Sequence, residues 1–326
     1  MALAQQGPDE GRSLVAIKPR IRYLAAMKDT DHDGAAGQSR FYTVRDGLRL
    51  HMLDFGSRLE SAMPVVCLPG LARTAADFGR LASALANGAA NAPRRVVALD
   101  YRGRGLSDWD KTWQNYDLRI ESADILEVLT AAGIDRAIFV GTSRGGLHIM
   151  LLAAMRPTLL HAAVLNDIGP VIEKKGLARL RGYIGKLPQP RNWSDAIEIA
   201  KSLMSAQFTS LSEDDWEAFA RLTFEEKNGS FVARYDANLF RTLAAIDLEA
   251  PLPNAWPQFE GLRDVPLLLL RAENSDLLSQ ATVTEMMARH NKCEFHQVDG
   301  QGHAPLLLDE PTIQRIVQFV AKVDKR

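Results

Sequence analysis

From Phe41 onward the chain alternates short apolar runs with amphipathic stretches. Phe41 to Arg45 and Leu48 to Phe55 are strand-like, and the Asp46-Gly47 pair between them is a strong hairpin signal. Five further apolar runs read as parallel strands covered on both faces: Pro64 to Leu68, Arg95 to Leu99, Ala137 to Val140, Ala162 to Leu165 and Leu267 to Leu270. Helical spacing separates several of them, with Phe78, Leu81 and Leu85 on one core-facing stripe and Ile125, Leu126 and Leu129 on another. Repeated strand, helix, strand implies an α/β class: a mostly parallel sheet flanked by helices.

The rhythm breaks between Val171 and Pro257. Helical patterns run over Lys175 to Ile184, Ser194 to Ser205, Glu213 to Thr223 and Asp236 to Ile246, and the stretch closes on the proline-bearing segment Pro251 to Pro257. Sheet logic resumes with Leu267 to Leu270, then Glu294 to Val298, then an amphipathic helix carrying Ile313, Ile316, Val317 and Val320. The expected organisation is an N-terminal extension over residues 1–38, a core over 39–170 and 258–326, and an all-helical cap over 171–257.

Composition narrows the function classes. Hydrophobic residues make up 46% and charged residues 24% of 326, with a formal net charge of −1. No global field recruits nucleic acid or an anionic membrane, so neither is an expected partner. Cys67 and Cys293 are the two cysteines, each in an apolar or β-rich stretch, and they read as small buried hydrophobes. The first residues lack the basic-then-apolar order of a signal peptide, which makes a cytoplasmic location the expectation. Asp29-Thr30-Asp31-His32-Asp33-Gly34 copies the opening of an EF-hand loop, but the closing Glu position is Arg40, which would repel the ion.

The chemistry begins at Gly141-Thr142-Ser143-Arg144-Gly145, a G-x-S-x-G pattern between the strand Ala137 to Val140 and the helical Leu147 to Ala154. A serine at so sharp a turn is held in strained backbone geometry, and small residues on either side let the turn close. The helix N-terminus favours the negative charge that develops on acyl transfer. A hydroxyl needs a base, and His303 alone of seven histidines lies in a glycine-rich loop, Gly300 to Pro305, after a strand. His32 and His290 read as surface residues. The imidazole needs a carboxylate partner. Asp276, a short loop after Leu267 to Leu270, is the first choice, with Asp167 and Glu273 as alternatives.

These motifs make the chain resemble an α/β-hydrolase of the esterase, lactonase and C–C hydrolase branch, from roughly Arg40 onward. Asp100-Tyr101-Arg102-Gly103-Arg104-Gly105-Leu106-Ser107 resembles the family's D-x-R-G-x-G-x-S loop, which buttresses the site floor. Leu68-Pro69-Gly70-Leu71 stands where the family usually has His-Gly, and Pro69 replaces that His. The resemblance assigns the backbone N–H groups of Leu71 and Arg144 to an oxyanion hole. It implies hydrolysis of a small-molecule ester or lactone by a monomer or homodimer, without metal or organic cofactor. Two alternatives are a C–C bond hydrolase of ring-fission diketones, for which Arg144 could bind an acidic substrate, and a non-catalytic ligand receptor on the same fold. Trp109, Phe208 and Trp216 are candidate pocket residues.

Overall fold

The computed structural model describes residues 37–325. The EF-hand-like stretch Asp29 to Gly34 lies outside them. The first hairpin is β1 (Gln38–Thr43) and β2 (Arg49–Phe55), antiparallel across the Asp46-Gly47 turn. Then come β3 (Val65–Leu68), α1 (Gly79–Ala86), β4 (Val96–Leu99), α2 (Leu118–Ala131), β5 (Ala137–Thr142), α3 (Arg144–Met155) and β6 (Leu160–Asn166). Each strand forms on the apolar run that predicted it, within a few residues at either end.

After β6 come α4 (Lys174–Tyr183), α5 (Trp193–Met204) and α6 (Glu213–Thr223), then β7 (Phe224–Lys227), β8 (Ser230–Ala233) and α7 (Leu239–Ala244). The insertion is therefore not all helical. Its β7–β8 hairpin is antiparallel and turns at Asn228-Gly229, both with positive φ. Asn-Gly is the sequence signal of such a turn; the polar faces of these short strands hid it from a hydrophobic-pattern reading. The chain returns through α8 (Trp256–Glu260), β9 (Leu267–Ala272), α9 (Gln280–Arg289), β10 (Cys293–Val298) and α10 (Glu310–Val323).

The eight-stranded sheet has the order β1-β2-β4-β3-β5-β6-β9-β10, parallel from β4 onward. Apolar clusters cover both faces. One includes Leu68, Phe139 and Leu269 with α2 and α3 residues, and the other includes Val65, Val140 and Leu268 with α1 and α10 residues. Strand order reverses around β3, β4 and β5, so the loops leaving β3, β5 and β6 open into one crevice at the carboxyl edge. Among the described residues no helix is long and apolar enough to cross a membrane.

The insertion has its own small core. Trp216 packs edge-on against Phe219, and Phe208 joins the same buried cluster. Ser212 caps α6 reciprocally: its Oγ accepts from Asp215 N at 3.2 Å, and its own N–H donates to the Asp215 carboxylate at 3.1 Å. Ser212→Ala should cost about 1 kcal/mol of stability in chemical denaturation. A loss below a few tenths of a kcal/mol would show that the insertion does not unfold with the rest of the chain.

Candidate active site

The site grows from the junction of β5 and α3. Ser143 has φ 50° and ψ −111°, a left-handed backbone that strains a non-glycine residue and lifts its side chain above the sheet. The turn closes because its glycines lack side chains. A Cβ on Gly145 would sit 2.0 Å from Leu68 O, and one on Gly141 would sit 2.5 Å from the Gly145 carbonyl carbon. Helix α3 therefore packs backbone to backbone against the end of β3.

Ser143 Oγ lies 2.8 Å from His303 Nε2. The loop carrying His303 is held from below by buried Asn166, whose Nδ2 donates to Pro305 O at 2.9 Å and to Thr142 Oγ1 at 3.0 Å. On its other side Gln301 bridges Asp309 and the Leu306 N–H.

The carboxylate on the imidazole is Asp167, not Asp276. Asp167 Oδ2 lies 2.7 Å from His303 Nδ1 and also accepts from Ser275 Oγ at 2.7 Å, while Oδ1 accepts from Ala272 N at 2.9 Å. It is fully buried, and three donors compensate its charge. The register explains its reach. Thr142 pairs with Asn166 across β5 and β6, so Ser143 and Asp167 leave adjacent strands at the same level of the sheet edge. Asp276 is instead bidentate to Arg179 of α4, at 2.7 and 2.9 Å. Burial opposes ionisation of Asp276, but Arg179 outweighs it and holds the carboxyl below its usual range. Glu273 accepts from Gly300 N at 2.8 Å and helps set the loop that carries His303.

The Gly70-Leu71 segment runs beside Ser143, and a Cβ on Gly70 would sit 3.9 Å from Ser143 Cβ. The carbonyls on either side of Gly70 are tied down from the Asp100 to Ser107 loop. Tyr101 Oη donates to Pro69 O at 3.1 Å and Arg104 Nε to Leu71 O at 2.8 Å. Asp100 organises that loop by accepting from Ala75 N and Leu106 N and pairing with His51 Nδ1. At Gly105 (φ 54°) a Cβ would strike the Asp100 carboxylate at 2.1 Å. The family-like loop thus supports the floor as its motif implied.

Arg144 does not face the cleft. Its Nε donates to Glu121 at 2.6 Å and its Nη2 to Tyr116 O at 3.0 Å. Its backbone N–H begins α3 and has no acceptor within the helix. Glu121 is fully buried. Burial opposes its ionisation, but Arg104 and Arg144 outweigh that and hold its carboxyl far below the usual range.

Above Ser143 is a cleft of about 1000 Å³, part of it open to solvent, lined by both the core and the insertion. Its apolar wall includes Leu180, Ile184, Met204, Phe208 and Phe219. Of the three expected pocket residues only Phe208 lines it. Trp216 is buried inside the insertion's core, and Trp109 is 55% exposed and away from the cleft. Arg73, which the sequence reading did not single out, reaches the wall bound bidentately to Asp77 and through Nη1 to Thr223 Oγ1. Among the described residues no three His, Cys, Asp or Glu side chains are grouped to hold a metal ion.

Comparison with known proteins agrees with this architecture. A sequence profile of the alpha/beta hydrolase family matches residues 65–314. The 3-hydroxybutyrate-oligomer hydrolase of Cupriavidus necator is 29% identical, over 83% of this chain and 93% of that protein. Esterase YbfF of Escherichia coli is 24% identical, over 74% of this chain and 85% of its own length. The crystal structure of an alpha/beta hydrolase from Novosphingobium aromaticivorans superposes with a TM-score of 0.80 at 35% identity, covering 88% of this chain and 98% of that one.

Two other histidines have structural partners. His290, expected at the surface, is buried, with Nε2 2.8 Å from Leu262 O. His148, in the helix that follows Ser143, lies 2.8 Å from Ser122 Oγ through Nδ1, and burial pushes it down to about 4 despite Glu121 beside it. An unfolded histidine titrates near 6.5. Between these values the unfolded chain binds the extra proton, so this stability is fully present above pH 6.5 and is lost as pH falls toward 4. Unfolding free energy should drop over that window by on the order of a few kcal/mol, and His148→Gln should flatten the slope. Urea denaturation from pH 4.5 to 7 measures it; an equal slope in the variant would place the acid sensitivity elsewhere.

Proposed function

The chain belongs to the alpha/beta hydrolase family, and we propose that it is a serine hydrolase cleaving a small or medium carboxylic ester or lactone through an acyl-enzyme. Ser143 is its nucleophile, His303 its base and Asp167 its acid. The observation that carries this reading is the continuous hydrogen-bonded path from Ser143 Oγ through His303 to Asp167 Oδ2, at the floor of an apolar cleft.

In the proposed cycle Ser143 Oγ attacks the ester carbonyl carbon while its proton passes to His303 Nε2. Asp167 holds Nδ1–H toward itself and stabilises the imidazolium. The N–H groups of Leu71 and Arg144 take the negative charge of the tetrahedral oxygen. Collapse expels the alcohol, which receives the proton from His303. Water then attacks the acyl-enzyme by the same route and releases the acid. The segment between β6 and β9 serves as the cap that walls the acyl side, with Phe208 among its contacts.

The esterase relatives support an ester substrate, and the 3-hydroxybutyrate-oligomer hydrolase makes short hydroxyacid esters the first to assay. The C–C hydrolase alternative relied on Arg144 meeting an acidic substrate; with that guanidinium committed to Glu121, no observation favours it. A binding-only role would not need the relay.

Ser143→Ala should lower turnover of p-nitrophenyl butyrate by on the order of 10⁶ with an unchanged fold by circular dichroism. Retention of a tenth of the activity would refute the nucleophile assignment.

Asp167→Asn should cost on the order of 10⁴ in kcat. Asp276→Asn leaves the imidazole's partner in place and should cost much less, chiefly through release of Arg179. The opposite order in steady-state kinetics would return the acid to Asp276.

A further inference from the structure

Two arginines and a histidine converge on Glu121, and none of them faces the cleft. Arg104 Nη1 lies 2.5 Å from Oε1, and Arg144 Nε lies 2.6 Å from Oε2. His148 Nε2 lies 3.2 Å from Oε2. Arg104 and Glu121 are fully buried, and the Arg144 side chain is 12% exposed. Removing one member of such a buried cluster leaves another charge uncompensated, so its members are held together as a unit.

The second arm of each arginine shows what is positioned. Arg104 donates through Nε to Leu71 O at 2.8 Å, on the residue whose N–H is one proposed oxyanion donor. Arg144 itself carries the other proposed donor, and its guanidinium reaches back to Glu121 and to Tyr116 O. One carboxylate is thereby connected, through one side chain on each side, to both halves of the oxyanion hole. The two halves come from different elements, the loop after β3 and the first turn of α3, and they must keep a common distance to one substrate oxygen. Donors near 2.7–3.1 Å from the developing oxyanion act well, and small displacements weaken them.

We propose that Glu121 is a positioning residue that sets the spacing of the Leu71 and Arg144 N–H groups from behind, using Arg104 and the Arg144 side chain as its two arms. This rests on the serine-hydrolase reading above. Its consequence is specific to the charged tetrahedral state. Loosening the bridge weakens stabilisation of the oxyanion and leaves the apolar acyl wall untouched, so kcat falls while KM holds.

The test uses the full-length protein with Arg104→Met, Glu121→Gln and the double variant Glu121→Gln/Arg104→Met. Arg104→Met keeps Glu121 paired with Arg144, and the double variant removes one opposite-charge pair together, so both avoid the two uncompensated arginines that could unfold Glu121→Gln. Three quantities are read: folded fraction by near-ultraviolet circular dichroism, kcat and KM per folded molecule on p-nitrophenyl butyrate, and affinity for an alkyl trifluoromethyl ketone, whose adduct with Ser143 carries an oxyanion. The expected result is a kcat loss of about 10- to 100-fold, short of the roughly 10²–10³ for complete loss of a donor. KM should stay within about threefold, and ketone affinity should weaken by the same factor as kcat/KM. A purely structural role would lower the folded fraction and leave kcat per folded molecule and ketone affinity within about twofold of wild type; that result overturns the proposal. Ser143→Ala is run alongside. If it retains activity, the catalytic reading itself fails; if it is inactive while the bridge variants match wild type, the positioning role alone fails.

Discussion

Helix α3 meets the end of β3 backbone to backbone, and the rest of the site is arranged around that contact. With Gly145 in this position the helix approaches so closely that a single added carbon would fall 2.0 Å from Leu68 O. The approach brings the strained Ser143 turn, the free N–H groups of the first helical turn and the Gly70-Leu71 segment to one point. The proposed nucleophile, a helix dipole and a second loop of proposed donors thus come from one packing event. The strain at Ser143, of order 1–3 kcal/mol for such a residue, is tolerated because both flanking elements are anchored in the core.

Charge burial is the second organising theme. Asp167, Glu121 and Asp100 are all nearly or fully buried, and each is surrounded by donors from several segments. An unpaired buried carboxylate would be costly, so each one ties together the segments that supply its donors. Asp167 joins the end of β6 to Ala272 of β9, to Ser275 in the loop after it and to His303. Asp100 joins the Asp100 to Ser107 loop to β2 and to the start of the Ala75 turn. Asp276 joins the core to α4 through Arg179, and this explains why a carboxylate in a plausible triad position has another partner.

Parts of this were legible in the chain and parts were not, for identifiable reasons. The strands formed where continuous apolar runs stood, since both faces of a covered parallel sheet must be apolar. The β7–β8 hairpin was missed because Phe224 to Lys227 carries three charged residues, although Asn228-Gly229 announced the turn. Trp216 was expected at the pocket and lies in the insertion's own core, because aromatic identity does not tell which face of a short amphipathic helix turns inward. Arg144 was weighed as an anion-binding group, and the carboxylate that claims it is on α2.

By itself the sequence determined the α/β architecture, Ser143 at its turn and His303 in its glycine-rich loop. Each is encoded by residues a few positions apart: apolar runs, a strand–turn–helix pattern, a loop signature. The tertiary structure decided which carboxylate serves the imidazole, where Arg144 points, which side chains face the cleft and what Glu121 connects. His303 and Asp167 are 136 residues apart, and Arg179 and Asp276 are 97 apart. A buried charge takes the partner that folding brings within hydrogen-bonding distance. Asp167 and Asp276 both follow strands at the carboxyl edge of the sheet; the β5–β6 register brings Asp167 to the imidazole, and Arg179 of the insertion takes Asp276.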